Sequence, residues 1–293
     1  MSSGLDVPCF VLGPHRSGTT ILTQALAESG AFVYLTAAHI VAQHRGADQA
    51  APTLVELAQR HATRGIDAVA VAEDLPEEYG FLLPGRRLTR ETAPKLASVY
   101  GELVASDGRE RRPLLRNPWD LDRAPLILEH FPRASFVFVV RNPVATINSQ
   151  LQAVRTLLAE PSEYHALLDS RYRRLVRRKR LFRLYRRVTA RGIMASLLLK
   201  SFQRSTDGLV RDLRALPRER WTVVKYEELI DDPARALVRV YGFLGLLPGP
   251  IPLAERIRPG GRELDPHVEA RIGRIRQRTR SFGETFGYGS QDA

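Results

Sequence analysis

A glycine-rich loop between a short apolar run and a helical pattern constrains this chain more than any other feature. Residues 8–12 read PCFVL and residues 13–22 read GPHRSGTTIL. Backbone N–H groups and the helix dipole at such a turn can hold a phosphate group. A nucleotide triphosphatase would place a lysine directly after the second glycine, but Thr19 stands there and the cation comes earlier, at Arg16. The loop therefore predicts a phosphate site of a different kind.

Short apolar runs alternate with helical patterns along the chain, which predicts an α/β fold with a parallel sheet covered by helices. The predicted strands are CFVLG (9–13), AFVYL (31–35), PLLR (113–116), SFVFVVR (135–141) and WTVVKY (221–226). The predicted helices among them cover 19–28, 53–64, 90–105 and 120–130. Residues 144–215 show no strand pattern and are predicted to form a helical insertion, and residues 1–293 to form one domain.

The charge of the chain is its least ordinary property. The 293 residues contain 44 Lys and Arg against 32 Asp and Glu, which gives a formal net charge of +12. This balance favours an anionic partner, such as a phosphorylated ligand, nucleic acid, an acidic protein or a membrane surface.

Three absences narrow the class of protein. A single cysteine, Cys9, excludes an intrachain disulfide framework and argues against a zinc site. No apolar run approaches the ~20 residues of a membrane-spanning helix. The first residues, MSSGLDVP, lack the features of a signal peptide. The sequence predicts a cytoplasmic protein.

Cations follow most of the predicted strands. The first strand runs into GPHRSGTT, the third ends in RNP (116–118), the fourth in RNP (141–143) and the last in KYEEL (225–229). Ligands of open parallel sheets bind beyond the carboxyl ends of the strands. A cluster of cations there would be costly without an anion among them, so these ends are predicted to bind one.

Three blocks of the sequence resemble sulfotransferases that use 3′-phosphoadenosine-5′-phosphosulfate. PHRSGTTIL (14–22) resembles their 5′-phosphosulfate loop, and FVFVVRNPVATINSQ (136–150) resembles their 3′-phosphate signature. WTVVKYEELIDDPARALVRVYGFLGL (221–246) resembles their late strand, Tyr-Glu pair and following helix. The RSGTT form and the RNPWDL segment are similar to the bacterial and tyrosylprotein branch.

The resemblance implies donor-binding roles for nine residues. Arg16 would carry the loop cation at the oxygen that bridges phosphate and sulfur, where the leaving group gains charge. Ser17, Gly18, Thr19 and Thr20 would complete the loop. Four residues lie elsewhere in the chain: Arg141 and Ser149 would bind the 3′-phosphate, Tyr226 would lie near the adenine, and Arg258 would belong to a loop that closes over the nucleotide.

The resemblance also implies catalytic residues. Arg116 occupies the place of the family's central lysine and would stabilise sulfuryl oxygens, whereas Asp120 stands where many bacterial relatives carry a histidine. The acceptor hydroxyl needs a base within hydrogen-bond reach. His39 is the first candidate, because its ordinary pKa of about 6.5 suits the task. Glu78, in LPEEYGFLL (75–83), is the second.

Residues 171–187, RYRRLVRRKRLFRLYRR, combine apolar positions with ten Arg and Lys. The pattern predicts an amphipathic helix with a strongly basic face. This face is either simply solvated, or it docks to something acidic: anionic lipid, an acyl-carrier protein or a polyanionic acceptor.

These features together predict a three-layer, P-loop-like α/β sandwich. Its expected reaction moves a sulfuryl group, without a metal, from 3′-phosphoadenosine-5′-phosphosulfate to the hydroxyl of a small or lipid-linked molecule. A magnesium-dependent P-loop kinase and a non-catalytic basic nucleic-acid-binding protein are the alternatives, although no nucleic-acid-binding motif is present. The sequence leaves the acceptor's identity and the oligomeric state open.

Overall fold

Five parallel strands form the central sheet. The computed structural model describes residues 7–45, 52–67, 69–108, 111–247 and 263–289. The strands are β1 Cys9–Leu12, β2 Phe32–Tyr34, β3 Arg112–Arg116, β4 Ser135–Val140 and β5 Trp221–Lys225. Their order across the sheet is β2-β3-β1-β4-β5, and each neighbouring pair is parallel. The predicted parallel sheet and its five strands are confirmed.

The helices follow the strands in an α/β alternation, and every predicted helix has a counterpart. Two regions are helical although no helix was predicted there: Ala37–Arg45, directly after β2, and the helices between Pro266 and Phe286. The helices are α1 Thr19–Glu28, α2 Ala37–Arg45, α3 Leu54–Arg60, α4 Ala93–Asp107, α5 Ala124–His130, α6 Pro143–Ala159, α7 Glu163–Leu168, α8 Ser170–Arg177, α9 Lys179–Ala190, α10 Ile193–Ala215, α11 Tyr226–Asp231, α12 Pro233–Leu244, α13 Pro266–Glu269, α14 Ile272–Arg278 and α15 Arg280–Phe286. Short 3-10 helices occupy Tyr79–Leu82, Pro84–Arg86, Pro118–Asp120 and Arg218–Arg220.

The sheet divides the core into two, because successive side chains of a strand point to opposite faces. On one face, Val11 of β1 and Val137 of β4 pack with α1, α11 and α12. On the other, Phe10 of β1 and Phe138 of β4 pack with helices that include α4, α6 and α10. Every residue of β1 is buried. Helix, sheet and helix thus form the three predicted layers.

The arginine-rich segment 171–187 forms two helices rather than the single one predicted. The backbone of Arg178, with φ −91° and ψ 74°, leaves the helical region and separates α8 from α9. The stretch from α6 to α10 is helical throughout, as predicted for the insertion. In the parts of the chain that the structure describes, no helix combines the length and apolar character needed to cross a membrane.

Asp120 lies at the core of a hydrogen-bond network just beyond β3. Its carboxylate accepts hydrogen bonds from the Tyr79 hydroxyl (2.8 Å), the Asn117 side-chain amide (2.7 Å) and the backbone N–H of Leu88 (3.0 Å). Burial raises the pKa of Asp120, while these hydrogen bonds oppose the rise. The network fixes the segment 79–88 against the end of β3, which gives Asp120 a structural role.

Replacing Asp120 with alanine should lower the free energy of unfolding by about 3 kcal/mol, because three buried donors lose their acceptor. Urea unfolding at neutral pH measures the effect. Asp207→Ala, on the exposed side of α10, is the matched control and should change stability by no more than about 0.5 kcal/mol. Equal urea midpoints for the two variants would contradict a structural role for Asp120.

Candidate functional site

The carboxyl ends of β3, β1 and β4 lie side by side, because these strands are neighbours in the sheet. The loop after β1, Arg116 at the end of β3 and Arg141 directly after β4 therefore share one edge. The sequence-predicted convergence of cations at the strand exits is present in the fold.

The loop after β1 leads into a helix whose N-terminus has no side-chain cap. Gly18 is the N-cap of α1 and adopts φ 99°, in the left-handed region where glycine is unstrained. A Cβ on Gly18 would stand 2.5 Å from Cδ2 of Tyr226, and one on Gly13 would stand 2.5 Å from the carbonyl oxygen of Val139. Both glycines are therefore required by close packing as well as by the turn.

Ser17 lies in the loop directly before α1, with its side chain buried. Its hydroxyl oxygen is buried and has no hydrogen-bond partner among the described residues. Buried hydroxyl groups are normally paired. An anion seated on the N-terminus of α1 would supply the missing partner, so the loop fits a phosphate ligand.

Arg16 connects the loop to three other parts of the molecule. Its guanidinium donates to the Ser149 hydroxyl on α6 (3.3 Å), to the Asp67 carboxylate (3.1 Å) and to the Ile66 carbonyl (3.4 Å). Its own carbonyl accepts a hydrogen bond from Arg141 (3.0 Å). The structure thus brings together Arg16, Arg141 and Ser149, which sequence analysis had assigned to opposite ends of one nucleotide.

Tyr226 closes the other side of the loop. The Arg141 guanidinium lies 4.1 Å from the centre of the Tyr226 ring, a cation–π contact, and the ring packs against Gly18. Lys225 and Tyr226 end β5 and begin α11, so this ring is positioned by the last strand of the sheet. Arg258, the remaining predicted donor residue, lies outside the described residues.

Arg116 is almost completely buried, with 1% of its side chain exposed. It donates to the Glu77 carboxylate (3.1 Å), the Pro76 carbonyl (3.2 Å) and the Thr20 hydroxyl of the loop. Its Nε atom is buried without a partner among the described residues. Arg116 therefore joins the loop after β1 to an acidic segment.

That acidic segment runs beside the ends of β2 and β3. The backbone N–H of Glu77 donates to the Leu35 carbonyl (2.8 Å). The backbones of Glu78 and Arg116 form an isolated parallel β-bridge. The Glu77 carboxylate accepts from three buried groups: Arg64 (3.0 Å), Arg116 (3.1 Å) and the Tyr164 hydroxyl (2.7 Å). The single Glu77 charge offsets part of the charge of the two arginines, and the contact with Arg116 fixes the direction of that side chain.

Glu78 differs from Glu77 because it reaches the surface. Its side chain is 15% exposed, and Oε1 lies 3.7 Å from Arg116 Nη2. Burial raises the pKa of Glu78 to about 7, with the Arg116 charge opposing the rise and the Glu77 charge adding to it. A carboxyl group with that pKa can exchange a proton near neutral pH.

His39 lies on the exposed side of α2. Its Nδ1 atom accepts from the Thr36 backbone N–H (3.1 Å) and lies 2.8 Å from the Thr36 hydroxyl. Because Nδ1 is an acceptor, the neutral ring carries its proton on Nε2. Partial burial lowers the pKa of His39. The described hydrogen bonds of its ring go to the start of its own helix rather than to the arginine cluster.

Sequence reasoning missed several residues that shape the site. Asp67 pairs with Arg16 and Arg64 pairs with Glu77, but Arg64 ends the predicted helix 53–64, Asp67 follows it, and neither belongs to a motif. His15 lies edge-on to Trp119, with ring centres 4.7 Å apart. Burial and the charges of Arg86, Arg116 and Arg16 lower the pKa of His15 to about 3, so the ring is neutral at physiological pH. In the sequence, His15 could have been identified from its position inside the loop GPHRSGTT (13–20).

The sequence matches a known protein family. Residues 8–190 match the sulfotransferase family. The chain belongs to that family. Curated relatives named omega-hydroxy-beta-dihydromenaquinone-9 sulfotransferase Stf3, from Mycobacterium bovis and Mycobacterium tuberculosis, are 24% identical over 82% of this chain. The alignment spans 63% of the length of those relatives.

Solved sulfotransferases share the fold. STF9 from Mycobacterium avium superposes with a TM-score of 0.62 at 16% identity, covering 95% of this chain and 76% of that one. STF1 from Mycobacterium tuberculosis gives 0.59 at 18% identity, with 93% and 76% covered. A sulfotransferase from Alicyclobacillus acidocaldarius gives 0.51 at 17% identity, with 95% of each chain covered. The P-loop-like α/β fold predicted from the sequence is therefore confirmed.

Replacing Asp67 with asparagine should destabilise the protein at neutral pH and much less in acid. Burial alone would raise the pKa of Asp67, but Arg64 and Arg16 lower it from 3.8 to about 2. The stabilisation, roughly 2 kcal/mol, is present above pH ~4 and is lost as the pH falls through about 2. Urea unfolding at a series of pH values measures it. A stability difference between the two proteins that stays constant down to pH 2 would contradict the ion pairing.

Proposed function

We propose that this chain transfers a sulfuryl group from 3′-phosphoadenosine-5′-phosphosulfate to an acceptor hydroxyl. Membership of the sulfotransferase family supports the reaction class. The observation that carries the proposal is the contact of Arg16 with both Ser149 and Arg141 beside the open N-terminus of α1. The loop after β1, the residue after β4 and α6 together present cations and donors for two phosphate groups of a single nucleotide.

The two ends of the donor would bind to different parts of the cluster. The 5′-phosphosulfate would take the loop of residues 13–20 and satisfy the buried hydroxyl of Ser17. The 3′-phosphate would take Arg141 and Ser149, since an arginine fork suits a terminal phosphate. Arg16 now donates to Asp67 and Ser149. Donor binding would replace the Asp67 contact with one to the bridging oxygen, where negative charge develops.

We place the general base at Glu78 rather than His39, because Glu78 lies 3.7 Å from Arg116 and is partly exposed beside it. In the reaction, the acceptor oxygen forms a bond to sulfur while the bond from sulfur to the 5′-phosphate oxygen breaks. The acceptor proton passes to Glu78. Arg116 and Arg16 offset the charge on the sulfuryl oxygens and the leaving phosphate, so positioning and electrostatics supply the catalysis without a metal.

The acceptor is proposed to be a small or lipid-linked hydroxyl compound. The name of the Stf3 relatives describes a menaquinone derivative with a hydroxyl group as their substrate. The acceptor side of the site, near Glu78, is bordered by His15, Trp119 and Phe81, whose rings pack edge to face. An aromatic wall of this kind suits an apolar acceptor. We also propose that residues 1–293 form a single sulfotransferase domain.

The desulfated product, 3′-phosphoadenosine-5′-phosphate, should raise the melting temperature in the presence of a metal chelator. ATP with magnesium and duplex DNA should leave it unchanged. Arg16→Ala and Arg141→Ala should each weaken binding of the product by about 30- to 100-fold, because each removes charge-assisted hydrogen bonds. Arg274→Ala, an exposed cation on α14, is the control. Stabilisation by ATP that depends on magnesium would instead indicate a kinase.

Glu78→Gln should lower kcat by at least about a hundredfold. In the unaltered enzyme, kcat/KM should rise with pH through about 7, because the base must lose its proton before it can accept one. That dependence should be absent from the residual activity of Glu78→Gln. His39→Ala is the matched comparison and should retain both the rate and the pH profile. The reverse pattern, with His39→Ala inactive and Glu78→Gln active, would restore His39 as the base.

A further inference from the structure

The whole excess of positive charge lies in one short part of the chain. Residues 170–206 contain 13 Lys and Arg and no Asp or Glu. The remaining residues contain 31 Lys and Arg against 32 Asp and Glu, so they are almost neutral. The net charge of +12 is therefore a local property of α8, α9 and the first half of α10, and it is not spread over the molecule.

These cations face solvent. Of the 11 Lys and Arg between residues 170 and 191, ten are exposed and only Arg173 is half-buried. A helix that packs by an apolar stripe normally exposes its polar face, so solvated cations alone would need no explanation. The apolar residues among them provide the second observation.

Large apolar side chains are exposed in the same region. Leu184 is 54% exposed, Tyr185 42%, Ile193 48% and Leu197 52%. They are four of the seven large apolar residues that are exposed in the described parts of the chain. Their concentration in this short part of the chain favours an interaction site there.

Helical spacing places cations next to these apolar residues. Arg180 stands four residues before Leu184 and Arg187 three after it, so the three share one face of α9. On α10, Ile193 and Leu197 are followed at the same spacing by Lys200 and Arg204, all of them exposed. Each helix therefore presents aliphatic groups bordered by positive charge.

We propose that this basic surface, formed by the exposed side chains of residues 171–204, docks onto an anionic lipid bilayer. A nucleic acid or another polyanion would engage the cations but would gain nothing from exposed leucine and isoleucine. A bilayer with anionic headgroups takes both: the arginines bind the headgroups, and the apolar groups enter the acyl boundary. The helices would lie along the membrane plane without crossing it.

The basic surface begins beside the candidate active site. Asp169 caps α8 by accepting from the backbone N–H groups of Arg171 and Tyr172, and it also pairs with Arg86. The Arg86 guanidinium lies 5.0 Å from the centre of the Trp119 ring. Trp119 in turn packs on His15 of the phosphate loop. Docking would hold the acceptor side of the site near the membrane, although the docking itself does not depend on the proposed reaction.

Co-sedimentation with lipid vesicles tests the docking without donor or acceptor. The full chain should bind vesicles of phosphatidylcholine with 30% phosphatidylglycerol at least about tenfold more tightly than vesicles of phosphatidylcholine alone. Binding should weaken as salt is raised from about 0.05 to 0.5 M, because the cations act at the surface. Equal binding to the two kinds of vesicle, or no binding to either, would overturn the proposal.

Two pairs of matched variants locate the surface. Arg180→Glu with Arg183→Glu and Arg187→Glu should reduce binding to the anionic vesicles roughly a hundredfold. Arg274→Glu with Arg278→Glu and Arg280→Glu, which changes the net charge equally on an exposed part of α14 and α15, should reduce it no more than about threefold. Equal losses in the two triple variants would indicate diffuse attraction and overturn the proposal.

The second pair tests the apolar contribution, and it leaves the charge unchanged. Leu184→Gln with Leu197→Gln should weaken vesicle binding about tenfold, because two aliphatic groups no longer leave water. Val55→Gln with Val238→Gln, which are exposed to a similar degree elsewhere, should not. If the leucine pair binds like the unaltered protein and heparin competes fully, the surface recognises a polyanion and the lipid proposal is wrong. Melting temperatures verify that each variant is folded.

Discussion

The buried guanidinium of Arg116 is the constraint on which the site depends. A cation removed from water requires a counter-charge and hydrogen bonds, and one that lacks them destabilises the fold. Glu77 provides the counter-charge, and because Glu77 also binds Arg64 and Tyr164, it ties the end of β3 to α7. One series of contacts therefore connects the loop after β1 through Arg116 to the acidic segment, and through Glu77 to α7.

The positive charge of the arginines around the loop affects the pKa values of His15 and Asp67. His15 loses its proton far below neutral pH, because it is buried among Arg86, Arg116 and Arg16. Asp67 keeps its charge in acid for the opposite reason. Burial and then the charges of nearby arginines lower the pKa of His15, and arginine charges that outweigh burial lower the pKa of Asp67. A dianionic ligand would offset the positive charge of these arginines. The carboxyl edge of the sheet would therefore be more stable with the ligand bound.

The sequence predicted what depends on local pattern. The five strands followed from apolar runs, and the convergence of Arg16, Arg116 and Arg141 followed from parallel strands ending at one edge. Ser149 was reached through a family motif. The ion pair of Arg16 with Asp67 and the hydrogen bond of Glu77 with Tyr164 could not be predicted, because Asp67 and Tyr164 approach from segments whose positions depend on tertiary packing. Glu77 and Glu78 are adjacent in sequence, but only the fold makes one a buried counter-ion and leaves the other at the surface.

The separation of the arginine-rich segment into α8 and α9 could not be predicted from the local pattern either. Periodicity gave one continuous helix, whereas Arg178 breaks it, and no glycine or proline marks the position. The exposure of Leu184 and Tyr185 also contradicts the simple expectation that apolar positions of an amphipathic helix face the core. Apolar residues that are exposed against the helical pattern are most informative where several of them lie in the same part of the chain.

The packing of Tyr226 on Gly18 joins residues more than two hundred positions apart, with the whole helical stretch between them. In a chain emerging from the ribosome, the loop that contains Gly18 is made before the Tyr226 ring that packs on it. The loop must therefore remain without its lateral support until β5 has been translated and has paired with β4. Nucleotide binding by the nascent polypeptide would be a late event, and it would report that the sheet is complete.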